Sequence, residues 1–193
     1  MSLERHRLLW IYLKERTNFF SNNIKVLHIA PEYCFLKRFK RMKNLSYTTA
    51  DLVSPWAEVK LDVQNMPFDE NSFDVILCNH VLEHVSDDKL ALSELFRVMK
   101  PGGFGIFQVP IDMSIEKTQE DKAINTPELR EKHYGQRDHF RLYGADYPER
   151  LGNAGFIVTT DSFVQTLPEH LAKRYALPND EIIYLCVKPI TQQ

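Results

Sequence analysis

The first 101 residues of this chain contain no glycine; all seven glycines fall between Gly102 and Gly155. A phosphate cradle built on a glycine-rich turn is therefore excluded from that half of the sequence. Cysteine is scarce too. Cys34, Cys78 and Cys186 are odd in number, widely spaced and form no C-x-x-C pair, so they read as thiols in a reducing compartment, not as a disulfide framework or zinc ribbon. No apolar run approaches the ~20 residues that a membrane span needs. The opening "MSLERHRLLWIYLKERTNFF" is studded with charge and lacks a small-residue cleavage site, so a cytoplasmic location is expected. Neither charge sign dominates: 24 Lys and Arg face 26 Asp and Glu. No global field recruits nucleic acid or an anionic membrane. The one basic run, "LKRFKRMK" at 36–43, has apolar residues at helical spacing; it reads as a solvated helix face or, alternatively, a phosphate-binding patch.

What is present is a rhythm of strands and helices. The 1–20 segment is expected to be an N-terminal helix, amphipathic over 3–20 through Leu8, Leu9, Ile11, Tyr12 and Phe19. Strands are predicted at 24–30, 45–52, 57–63, 72–81, 104–111, 156–164 and 181–188, and helices at 35–43, 87–100 and 145–156. Asp87 or Asp88 can cap the 87–100 helix, and "PGG" at 101–103 is expected to stop it and turn the chain. Alternating strands and helices indicate a mainly parallel α/β sheet in one domain over 1–193. The polar stretch 112–143 interrupts the rhythm and reads as an insertion that serves as a lid over the substrate.

Ligands of open parallel sheets bind beyond the carboxyl ends of the strands. Those ends carry Glu32, Asp51, Asp62 and the pair Asn79–His80. Asp51, about 20 residues beyond the first turn, is placed to accept the hydroxyls of a ribose. Asp62 with Val63 can meet an adenine edge; the alternative is a turn residue. The turn "LHIAPE" puts Ala30, Pro31 and Glu32 where a pyrophosphate would need glycine. A carboxylate there would repel a phosphate by on the order of a few kcal/mol at ~4 Å in a partly screened site. Such a turn suits an adenosyl ligand that is phosphate-free and cationic, as S-adenosylmethionine is, with Glu32 pairing its ammonium. The bland alternative is that Glu32 merely begins a helix.

The block "LDVQNMPFDENSFDVILCNHVLEHVSDDKLALSELFRVMKPGG" at 61–103 resembles the central part of small class I S-adenosylmethionine-dependent methyltransferases. The resemblance covers about 24–111 and, more loosely, the closing strands. It implies a Rossmann-like sheet of seven strands, mostly parallel with an antiparallel last strand, with helices on both faces, and a methyl-transfer reaction. It implies cofactor contacts at Asp51 with Leu52, at Asp62 and Val63, and at Asn79 and His80. In the first motif His28 stands where the family usually has an acid, and Ala30 and Glu32 sit in its altered turn. The tail "GQRDHFRLYGADYPERLGNAGF" at 135–156 resembles a subset that shares this turn. Asp138, His139 and Arg141 are thereby expected over the pocket mouth. His139 and then His80 are the candidate general bases, and Arg141 the group that orients substrate.

The segment "HVLEH" at 80–84 also matches the H-x-x-E-H pattern of inverted zinc proteases. That mechanism needs both histidines on one helical face and a third ligand. The segment follows a strand at a turn, so no metal is assigned; a pairing of His133 with His139 lacks a fixed scaffold. Asn79-His80-Val81-Leu82 replaces the Asn-Pro-Pro-Tyr turn of enzymes that methylate DNA adenine or protein glutamine. The expected acceptor is the oxygen or nitrogen of a small molecule. A non-catalytic binding protein on the same fold and an oxidoreductase with a degenerate dinucleotide site are the rival readings.

Overall fold

The computed structural model describes residues 2–190. Its elements are α1 (Glu4–Arg16), β1 (Ile24–Ile29), α2 (Tyr33–Phe39), β2 (Leu45–Asp51), β3 (Val59–Lys60), β4 (Phe73–Cys78), a 3₁₀ turn (Leu82–His84), α3 (Asp88–Val98), β5 (Met99–Ile106), α4 (Pro127–Tyr134), α5 (Tyr147–Asn153), β6 (Ile157–Asp161), α6 (Phe163–Thr166), α7 (Glu169–Tyr175) and β7 (Ile183–Val187). The seven strands form one sheet in the order β3-β2-β1-β4-β5-β7-β6. β7 runs antiparallel to both β5 and β6, and the other pairings are parallel. This is the sheet that the resemblance implied.

Alternation along the strands builds two cores. On one face Leu27, Ile76, Cys78 and Phe107 pack with Leu92 and Leu95 of α3 and with Tyr147 of α5. On the other, Val26, Val75, Leu77 and Ile106 pack with Leu8 and Leu13 of α1, Phe39 of α2 and Phe163 of α6. Full burial of such side chains stabilises by roughly 1.5–3 kcal/mol each. Among the described residues, no helix is long and apolar enough to cross a membrane.

Several boundaries differ from the sequence reading. α1 ends at Arg16 because Thr17 is extended; Phe19 is buried from the following turn. Asp87 alone caps α3, accepting the amide of Leu90 at 3.1 Å, while Asp88 is buried and paired elsewhere. Pro101-Gly102-Gly103 lies inside β5, where the register with β4 shifts between Phe73 and Val75. The glycines therefore serve a bulge and not a turn: Gly102 takes φ +76, and a Cβ on Gly103 would meet the Asp74 carbonyl at 2.8 Å. The insertion contains α4, capped by Thr126 with Pro127 in its first turn. The third strand shrinks to Val59–Lys60, leaving Asp62 in a tight bridge with Asn65.

Candidate functional site

β1 has β2 on one side and β4 on the other, so the strand order reverses there, among parallel strands, and opens a crevice at the carboxyl edge. Two non-glycine residues at this edge adopt left-handed backbone: Ala30 at φ 47, just past β1, and His80 at φ 54, just past β4. Each costs on the order of 1–3 kcal/mol, a strain that concentrates at binding sites.

A polar chain runs along the edge. The Tyr47 hydroxyl lies 2.7 Å from His28 Nδ1, His28 Nε2 contacts the Glu32 carboxylate, and Asn79 Nδ2 donates to Glu32 Oε1 at 3.2 Å. Burial works to raise the Glu32 carboxyl, but the His28 contact and the Asn79 amide outweigh it and hold Glu32 at about 2. Glu32 is thus a partly buried, ionised group held by His28. Asn79 Oδ1 and His80 Nε2 are buried at the same edge with no hydrogen-bond partner.

At the end of β2, Asp51 Oδ1 accepts the amides of Val53 and Ser54, both at 2.7 Å. Its second oxygen takes no protein hydrogen bond among the described residues, and Leu52 beside it is exposed. Asp62 is differently placed. Gln64 Nε2 donates to both of its oxygens at 3.1 Å, and Gln64 in turn accepts from Ser86 and Asp87. In this geometry the Asp62 carboxylate is engaged by Gln64, and Val63 next to it is buried.

Glu32, Asn79 and His80 border a cavity of about 10 Å³, closed by Arg5, His6 and Leu9 of α1. That volume holds about one water. α1, and not the 112–143 insertion, is the element that covers this end of the edge. The insertion packs on the turn after β4, where the Phe140 amide donates to the Glu83 carbonyl at 2.8 Å.

Arg141 corrects the sequence reading. Its side chain is buried, and its guanidinium donates to the carbonyls of Leu82, Val85 (2.8 Å) and Ser86 (3.1 Å) and to Glu120 (3.3 Å). With its donors spent on the chain's own backbone, Arg141 clamps the β4 turn and does not orient a substrate. The neighbouring Asp88 accepts from Arg150 Nε at 2.6 Å and from the Tyr143 hydroxyl at 2.8 Å. Burial would raise the Asp88 carboxyl, yet Arg150 and Arg141 hold it below its ordinary value.

His139 is buried, not on an open loop. Its ring centroid lies 4.8 Å from that of His84, and burial, then the His84 charge, push its pKa down. His133 is exposed on α4, away from this pair. Of the two candidate bases, His80 borders the cavity, and its Nδ1 lies 3.5 Å from Glu83 Oε1.

Residues 19–107 match the family described as a methyltransferase domain. Through these residues, a little under half of the chain, the protein is similar to that family. The ubiquinone/menaquinone biosynthesis C-methyltransferase UbiE of Idiomarina loihiensis is 34% identical over 70 residues, 35% of this chain and 28% of that enzyme. The chain spans less than a third of the length of the curated relatives it matches. Two solved structures share the fold. The methyltransferase in the Haloferax volcanii complex with the Trm112 activator has a TM-score of 0.59 at 18% identity, over 87% of this chain and 84% of that one. Phosphoethanolamine N-methyltransferase 2 of Haemonchus contortus, in complex with S-adenosyl-L-methionine, has 0.62 at 15%, over 95% and 52%.

Along this edge, sequence reasoning missed Tyr47 and the α1 residues that line the cavity. No local pattern marks them; each reaches the edge from a separate element. The His28–Glu32 pair carries a pH prediction. Glu32 lies below its ordinary 4.5 in the folded chain, so its stabilisation is present above about pH 4.5 and is lost as pH falls toward 2. The full effect is on the order of 3 kcal/mol. Urea denaturation of wild type and Glu32→Gln should show a stability gap at pH 7 that narrows by pH 3; a gap independent of pH would count against the pairing.

Proposed function

We propose that this methyltransferase domain binds S-adenosylmethionine along the carboxyl edge of β1, β2 and β4 and transfers its methyl group to an oxygen or nitrogen of a small-molecule acceptor. The observation that carries the reading is the edge itself. A glycine-free turn holds an ionised Glu32, and Asp51 presents a carboxylate oxygen that takes no hydrogen bond among the described residues. The first repels a diphosphate and the second accepts ribose hydroxyls. Asn79 Oδ1 supplies a further unpaired group for the aminoacyl end. When bound, the sulfonium supplies an electrophilic methyl carbon.

The chain's own residues must align the acceptor, exclude water and take a proton. His80 is the proton acceptor that the geometry favours. It borders the cavity, and Glu83 faces its other ring nitrogen. His139 stands behind Glu83 and acts through it. The cavity of about 10 Å³ is too small for a methionyl group, so the first turn of α1 must shift to admit one.

Two observations keep further readings alive. A relative named as a ubiquinone/menaquinone biosynthesis C-methyltransferase favours a carbon acceptor. The small volume of the cavity favours a non-catalytic protein on this fold. The test is S-adenosylhomocysteine formation against a panel of phenols, hydroquinones, amines and sugars. An active acceptor should lose about 10²-fold or more in kcat with His80→Asn, while KM for S-adenosylmethionine moves little. A kcat unchanged by that substitution removes His80 from the chemistry.

A further inference from the structure

We propose that Glu83, His84 and His139 form a binding site for one first-row divalent cation, best suited to zinc. The proposal goes beyond methyl transfer. One ligand atom from each of the three residues lies within 4.8 Å of the others. Two imidazoles and a carboxylate are a zinc ligand set that leaves a further position open.

The second observation is the state of Glu83. Its side chain is only 2% exposed, and its Oε2 is buried without a hydrogen-bond partner. Among the described residues its only ion-pair neighbours are His80 at 3.5 Å and His84 at 4.0 Å; no lysine or arginine compensates it. A buried carboxylate left in this state is costly, and a cation bound by its free oxygen removes the cost.

The surroundings are built to hold such a set. His84 turns Nε2 toward Glu83 while its Nδ1 lies 3.1 Å from Asp138 Oδ2. A carboxylate behind a ligating histidine fixes the ring and its tautomer. The two ligand-bearing segments are tied together twice. The Phe140 amide bonds the Glu83 carbonyl, and Arg141 grips the carbonyls of Leu82, Val85 and Ser86. Tetrahedral zinc would bring the donors to about 3.3 Å from one another. The half-exposed His84 ring can supply much of that closure. The H-x-x-E-H pattern of inverted zinc proteases would pair His80 with His84, a set that the sequence reading does not assign. In the fold the second histidine comes from the insertion instead.

The test uses tag-free full chain, stripped with chelator and retitrated with Zn²⁺ and then Co²⁺. One ion per chain is expected, with visible Co²⁺ absorption of low-coordinate sites. His84→Asn, His139→Asn and Glu83→Gln should each weaken Zn²⁺ by more than 10-fold, and Asp138→Asn by about 10–100-fold. His133→Asn should change nothing. His84 and Asp138 lie toward solvent, so their variants keep the test valid if the buried substitutions unfold the chain. Wild type that binds no stoichiometric Zn²⁺, or binding that the His84 and Asp138 variants retain in full, overturns the site. S-adenosylhomocysteine binding by the stripped protein is read separately, so the cofactor reading stands or falls on its own.

Discussion

Replacing Arg141 by methionine is expected to destabilise the fold by about 3–5 kcal/mol, the cost of removing one partner from a buried charged network. Three backbone carbonyls, of Leu82, Val85 and Ser86, lose their donor at once. Asp88, buried 3.7 Å from the Arg141 guanidinium, keeps Arg150 but loses its second cation. Arg141→Lys should recover little, because one ammonium cannot reproduce a planar fork that serves several acceptors. In thermal denaturation the methionine variant should melt roughly 10 °C or more below wild type. A shift of a degree or two would mean that the β4 turn holds its shape without the clamp.

Asp51→Asn is expected to weaken S-adenosylhomocysteine binding by about 10–100-fold, the loss of one charge-assisted hydrogen bond at ~1.5–3 kcal/mol. Asparagine retains the oxygen that accepts the Val53 and Ser54 amides, so the turn keeps its form. It replaces the other oxygen, which takes no hydrogen bond among the described residues, with a donor. Folding stability should stay within about 0.5 kcal/mol of wild type. Equal affinity in the two proteins would show that the ribose lies elsewhere.

The sheet was legible in the sequence because its central strands, β1 and β4, are apolar on both faces. "SFDVILCNHV" and "IKVLHIA" admit few other readings, and the stripe of α3 repeats at helical spacing. The edge was legible too, since Glu32, Asp51 and Asn79 follow their strands directly. What escaped depends on contacts between distant segments. Nothing in "DHFRLYG" tells that Arg141 turns inward to the carbonyls of residues 82–86, or that His139 meets His84. The strained backbone at Ala30 and His80 was equally hidden, because glycine, the usual marker of positive φ, is missing from both positions. The bulge in β5 was misread for the opposite reason: Pro-Gly-Gly is ordinarily a turn signal, and here strand pairing overrides it.

Calorimetric titration of the wild-type chain with S-adenosylhomocysteine, and in parallel with NADH, tests the assignment most directly. A single saturable site for the thioether nucleoside and no heat with the dinucleotide is the predicted outcome. Silence with the former, or saturable binding of the latter, would contradict a cleft made for a phosphate-free adenosyl ligand.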